Sequence, residues 1–195
     1  MKTIAALAAL SGVAAFAPAQ QATKASALSA SFENELGVQP PLDFWDPLGF
    51  LDEADQEKFN KLRYAEIKHG RIAMNAIVGH MVTTAGYRFP GCEEYPSGLK
   101  ALTAIPPAGL AVTVAIVGAL EVGIMTDRAG KAEFPGDLRN GMFKWNASEE
   151  EKLEKRAIEL NNGRAAQMGI LGLMVHETLT GEPYVLNAFL GYPTV

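Results

Sequence analysis

Glu66-Ile67-Lys68-His69-Gly70-Arg71 decides the fold, because it opens a run of apolar residues instead of lying on a solvated face. A second copy, Glu159-Leu160-Asn161-Asn162-Gly163-Arg164, stands 93 residues later in the same order: acid, metal-capable side chain three residues on, glycine, arginine. The approaches are alike, Lys61-Leu62-Arg63-Tyr64-Ala65 and Lys155-Arg156-Ala157-Ile158, and both copies run on into Ala and Met. A repeat of this kind predicts two related helices.

The flanking sequence gives each copy its helix. Asp52 or Asp55 caps the first, which is expected to run to about Ala85, ahead of Gly86 and the Arg88-Phe89-Pro90-Gly91 turn. Residues 72–87 hold no Lys, Arg, Asp or Glu, a 16-residue stretch just short of the roughly 20 that a bilayer asks for. Ser148 and Glu151 form a capping box that launches the second-copy helix, expected to end near Leu179 before Gly181 and Pro183. Its uncharged stretch, residues 165–176, spans a membrane only if Glu159 and Arg164 are taken inside. Between the two lies residues 101–120, a 20-residue run without an ionisable group, with Pro106-Pro107 read as part of the first helical turn. Lys and Arg collect before the first helix and between the second and third. Only Arg88 and Lys100 stand opposite, which agrees with three membrane spans.

Ions inside a bilayer are paired and functional more often than not. Two helices that cross about a two-fold axis solve the pairing reciprocally, Glu66 with Arg164 and Glu159 with Arg71, while Gly70 and Gly163 allow the backbones to approach. Each carboxylate keeps a lone pair after such pairing. Magnesium held in a macrocycle needs one more ligand, and oxygen or imidazole nitrogen serves. His69 lies about 300° around the helix from Glu66, so the two are near neighbours, as are Asn162 and Glu159. His80 is 11 residues beyond His69 on the same stripe, and His176 is 14 beyond Asn162. For a lone histidine on an apolar face a satisfied core residue is the bland alternative. For Gln167 or Asn162 it is an interhelical hydrogen bond, and for Glu66 and Arg71 in isolation a surface ion pair. Two copies at apolar boundaries weigh against a solvated face, and a dedicated zinc or di-iron site lacks its Glu-x-x-His pair on each of two helices.

The rest of the chain bounds these readings. With 195 residues, 48% hydrophobic content and a mean hydropathy near zero, composition alone permits a soluble domain. Cys92 is the single cysteine, which rules out an internal disulfide and any cysteine-based metal cluster. The formal charge of -5 excludes nothing, while the lack of a basic cluster among aromatics argues against nucleic acid as a partner. Residues 1–23 form a targeting segment, with Lys2, an apolar stretch and then small residues. Ala14-Ala15-Phe16-Ala17-Pro18 resembles the Ala-Phe-Ala-Pro junction of two-part plastid presequences, and residues 17–31, with Lys24 and no acid, fit the transit portion. A secretory signal stays equally open on these residues alone. The domain boundaries are therefore 1–31 for the presequence and 32–195 for the folded part. Residues 32–50, with Pro40-Pro41, Pro47, Phe44, Trp45, Leu48 and Phe50, favour an extended segment with aromatic anchors at an interface.

Glu66-x-x-His69-x-Arg71 and Glu159-x-x-Asn162-x-Arg164 resemble the two chlorophyll-binding motifs of the light-harvesting complex superfamily, over nearly all of residues 34–181. The short helices, Phe44-Trp45-Asp46-Pro47-Leu48-Gly49, Arg88-Phe89-Pro90-Gly91 and the presequence are similar to the fucoxanthin chlorophyll a/c proteins of diatoms and related algae. The resemblance implies an all-α membrane protein with three transmembrane helices, the first and third crossed as a pseudo-two-fold pair. It implies Glu66, His69, Glu159 and Asn162 as magnesium ligands, Arg71 and Arg164 as their ion-pair partners, and Glu121 as a further ligand. His176 stands where plant members carry Gln, and Gln167 matches an algal position that holds a chlorophyll c; His80 enters only by its spacing. Thr113 replaces a plant Gln, and no histidine follows His176, so the sites that need those groups are in doubt.

The implied cofactors are chlorophyll a, chlorophyll c, fucoxanthin and diadinoxanthin or a related xanthophyll, with carotenoids in the grooves of the crossed pair. The implied function is that of an antenna in the plastid thylakoid membrane, not an enzyme. Its partners would be membrane lipids, other antenna subunits in a homo- or hetero-oligomer, and a photosystem core. The alternatives are a heat-dissipating member of the same family, for which Glu93 and Glu94 are the acidic candidates, a three-helix membrane enzyme or proton carrier using Glu66, His69 and Glu159, and a soluble secreted helical domain.

Overall fold

The computed structural model describes residues 32–52, 54–128 and 131–180; the presequence expected at 1–31 and the stop expected at Gly181 and Pro183 lie outside them. Two compact units, Met1–Ala54 and Asp55–Val195, divide the chain. In the first, residues 32–52 form successive turns, as their prolines and glycines demand. Asp46 accepts the Phe50 and Leu51 amides on its two oxygens at 3.1 and 2.7 Å. Trp45, Leu48 and Phe50 are all exposed, so the aromatic anchors of this segment face outward.

The second unit is helical, and no strand occurs among the described residues. Helix α1, Gln56–Thr84, starts at Asp55, whose carboxylate accepts the Lys58 amide at 2.8 Å, and Glu57 in the first turn suits the positive end of the helix dipole. It stops one residue before the expected Ala85, and Gly86 follows with φ +90.

The 101–120 run is where the structure corrects the sequence reading. It is not one helix but two, α2 at Ala101–Ala104 and α3 at Pro107–Gly123, and the axes on either side of the break differ by 114°. The cause is local: Ile105, ahead of a proline, takes ψ 132 in the extended region, and Pro107 then starts α3 at a position where its missing amide is not needed. A 3-10 turn, Gly98–Lys100, precedes α2. Among the described residues no single helix is long and apolar enough to cross a membrane, while the bent pair Gly98–Ala104 and Pro107–Gly123 passes that test together.

Helix α4, Glu149–Thr180, begins with both arms of the predicted capping box, Ser148 Oγ accepting the Glu151 amide and Glu151 Oε2 accepting the Ser148 amide, each at 3.2 Å. Contact between α1 and α4 dominates the packing of the helices. The buried apolar side chains of the two helices are few: Phe59, Ile67 and Ala73 in α1, Leu160 and Ala166 in α4. Gly70 and Gly163 sit among them. A methyl group on Gly70 would stand 2.9 Å from the Gly163 Cα, so the two backbones meet with no side chain between them. Helix α3, by contrast, has no buried residue.

Candidate functional site

The meeting of the glycines brings the two copies of the repeat into register. Arg164 Nε donates to Glu66 Oε1 at 2.7 Å, and Arg71 Nε donates to Glu159 Oε1 at 2.6 Å. The four side chains are each between 29% and 42% exposed, so these pairs are neither bathed in solvent nor sealed in the core. Arg71 also reaches beyond the pair, its Nη1 donating to the Gly136 carbonyl at 2.8 Å. Gly136, at φ +86, leaves no room for a methyl group against Ile67, and its amide donates to Asp127 at 3.1 Å. The loop after α3 is thereby fastened to the repeat of α1.

The loop has its own electrostatic centre in Asp137, which is 5% exposed. Burial is the largest influence on its carboxyl and pushes it up. The Arg139 guanidinium at 2.8 Å and the amides of Glu133 and Arg139 outweigh burial and hold it below the usual carboxylate range. Arg139 lies 4.7 Å over the Trp145 ring, and Arg156 lies 4.1 Å over Phe134.

His69 and Asn162 are both exposed beside their acids. His69 Nδ1 lies 2.6 Å from the Ala65 carbonyl oxygen, which can only accept. The proton therefore sits on Nδ1, and the Nε2 lone pair is left for a metal. Magnesium in a macrocycle takes one axial donor, and an exposed imidazole nitrogen or amide oxygen fits that requirement. A cleft of about 340 Å³ opens on the α1 side between Ile67, Lys68, Met74, Glu121 and Leu138.

Other sequence candidates are engaged within the protein. His80 Nδ1 is 3.4 Å from Thr84 Oγ1, and its Nε2 lies 3.6 Å from Glu177 Oε2, too far for a hydrogen bond but close enough to set the ring beside α4. Glu177 in turn accepts the Leu99 and Lys100 amides at 2.8 and 3.4 Å, fixing the 3-10 turn. Glu121 is ion-paired with Lys68, which also donates to the Met125 carbonyl at 3.2 Å and so ties the end of α3 to α1. Gln167 donates to the Glu66 carbonyl at 3.4 Å, the interhelical hydrogen bond weighed from the sequence. His176 is half-buried on α4.

Sequence reasoning missed Arg63, whose Nη1 donates to Glu66 Oε2 at 2.6 Å. The signal was there in the i, i+3 spacing and in Arg156 at the matching place of the second copy. The Lys68–Glu121 and His80–Glu177 pairs join separate helices and have no such local signature.

Comparison with known proteins gives the same direction. The chlorophyll A-B binding protein family matches residues 32–178. A fucoxanthin-chlorophyll a-c binding protein, chloroplastic, of Trieres chinensis is 56% identical over 183 residues, covering 87% of this chain and 90% of its own. Fucoxanthin-chlorophyll a-c binding protein A of Phaeodactylum tricornutum is 53% identical over 182 residues, covering 87% and 92%. Protein B of that name from Macrocystis pyrifera is 52% identical over 197 residues, covering 92% and 89%.

Proposed function

The chain belongs to the chlorophyll A-B binding protein family, and we propose that its repeated Glu-x-x-His/Asn-x-Arg stretches are the axial-ligand sites of its chlorophylls. It is a light-harvesting antenna protein of the chloroplast thylakoid membrane that binds chlorophyll a, chlorophyll c and fucoxanthin, and it is not an enzyme. The names of the relatives favour harvesting over the heat-dissipating alternative. When bound, the pigments supply the absorption of light and the transfer of excitation. The protein supplies position.

One observation carries the ligand assignment: the reciprocal pairs Glu66–Arg164 and Glu159–Arg71 at a glycine contact, with His69 and Asn162 exposed beside them. Each pair cancels the charge of a carboxylate while leaving lone pairs on it, so Glu66 and Glu159 can face a macrocycle without bringing an unpaired charge into an apolar surrounding. His69 offers Nε2, and Asn162 its amide oxygen. Gln167 and His176 are further ligands on α4. Glu121 is a ligand whose second oxygen Lys68 neutralises, and diadinoxanthin or a related xanthophyll accompanies the fucoxanthin. His80, on the same stripe as His69 and beside Glu177, is a further pigment-contacting residue.

At a finer level, we propose three membrane passes with the first and third crossed about a pseudo-two-fold axis. The exposed apolar surface of α3 and the Lys and Arg bias toward one side support them. Residues 1–31 are the plastid presequence of a mature domain at 32–195, and the protein assembles with other antenna subunits and a photosystem core. An absorption spectrum of the native protein extracted from membranes tests the whole reading. Bands of chlorophyll a, chlorophyll c and a carotenoid are expected, and a colourless protein refutes it.

A further inference from the structure

The Glu66 carboxylate holds a second arginine that lies outside the repeat. Arg63 Nη1 donates to Oε2 at 2.6 Å while Arg164 Nε donates to Oε1 at 2.7 Å, so each oxygen has its own guanidinium. The Arg63 side chain is only 10% exposed, and its guanidinium lies 5.1 Å over the Phe59 ring. A planar cation held by burial, by a ring and by a charge-assisted hydrogen bond has little freedom left. In the second copy the matching residue is Arg156, and its guanidinium lies over the Phe134 ring at 4.1 Å. Glu159 takes Arg71, which also donates from Nη1 to the Gly136 carbonyl. Glu66 is thus held on both oxygens by guanidinium groups from two helices.

We propose that Arg63 is a positioning residue for the chlorophyll held at Glu66, fixing Oε2 and with it the direction in which the carboxylate faces the magnesium. The proposal rests on the assignment of Glu66 as an axial ligand. Each carboxylate oxygen has two acceptor sites, so one stays available on each after both arginines are bound. The torsion that turns a carboxylate is broad and soft, so it is the hydrogen bonds that hold the oxygens in place.

The test reconstitutes the full mature chain with chlorophyll a, chlorophyll c and fucoxanthin, and compares wild type with Arg63→Lys, Arg63→Gln and Glu66→Gln. Pigment number per polypeptide and the low-temperature absorption difference spectrum are read for each. Arg63→Lys keeps the charge but not the fork, and is expected to retain the pigment number while shifting one chlorophyll band. Arg63→Gln is expected to lose about one chlorophyll per polypeptide, the same one that Glu66→Gln loses. An Arg63→Lys spectrum that superimposes on wild type overturns the proposal, as does loss of all pigments in proportion from Arg63→Gln. Loss with Glu66→Gln but not with Arg63→Gln refutes the role of Arg63 and leaves the ligand intact. No loss with Glu66→Gln refutes the ligand assignment itself.

Discussion

Replacing Arg71 with Gln should damage the protein more than replacing Arg164 with Gln, although the two arginines hold the same place in the repeat. Arg71 makes two bonds that depend on its charge, to Glu159 at 2.6 Å and to the Gly136 carbonyl at 2.8 Å. At about 1.5–3 kcal/mol for a hydrogen bond to a charged group, and with a discount for partial exposure, their loss costs about 3–4 kcal/mol. Arg164 is 42% exposed, and Glu66 keeps Arg63 when Arg164 is gone, so that loss is about 1–2 kcal/mol. The difference of about 2 kcal/mol is roughly thirtyfold in the retention of the affected chlorophyll. Reconstituted holoproteins are diluted stepwise into detergent, and chlorophyll release is followed by loss of the pigment circular dichroism. Within the Arg164 variant, the pigment at Glu66 should loosen more than the one at Asn162. Equal losses from the two variants, or loss in Arg164→Gln confined to the Asn162 pigment, would refute the crossed pairing as the source of stability.

Three further outcomes follow from the same geometry. Gly70→Ala sets a methyl group 2.9 Å from the Gly163 Cα and should cost about 1–3 kcal/mol, read as earlier thermal loss of pigment circular dichroism. Gly79→Ala, with nothing within 4 Å, should leave the melt unchanged or raise it. His69→Asn converts the first copy to the donor of the second and should keep its chlorophyll, whereas His69→Leu should lose it on pigment analysis; equal retention would remove His69 from the ligands. Asp137, held below the usual carboxylate range, contributes stability that is complete above its ordinary pKa of about 3.9 and is lost as pH falls through the lower folded value. Amide-exchange protection over residues 133–139 should therefore persist from pH 7 to below about 4, and be weak throughout in Asp137→Asn.

The parts of the structure legible in the sequence were those with a local cause. Asp55, Ser148 and Glu151 are cap residues whose geometry is set within one turn, and α1 and α4 fall within a residue or so of expectation. The reciprocal ion pairs were legible because the repeat supplied both partners and the two glycines supplied the approach. The break at Ile105 was hidden because a proline pair at the start of an apolar run fits the first turn of a longer helix as well as a new start. Here the extended backbone of Ile105 decided it. Spacing puts His80 on the stripe of His69, and spacing along one helix carries no information on Glu177, which stands 3.6 Å from its ring on another. Lys68 and Glu121 escaped for the same reason.

The glycine contact makes α1 and α4 two levers with a common fulcrum. Backbone against backbone is a hard stop, so the helices cannot close further at Gly70 and Gly163, and any opening between them is measured from that point. Displacement in any such opening grows with distance along the helix axis. Glu66 and Glu159 each lie four residues from the fulcrum, about 6 Å at 1.5 Å per residue, whereas His176 lies about 20 Å away. On the proposed ligands, a pigment on His176 would stand about three times as far from the hard stop as one on Glu66 or Glu159. The chlorophylls nearest the fulcrum should have the narrowest absorption lines and the least spread in transition energy, which makes them the steady end of the energy ladder within the protein.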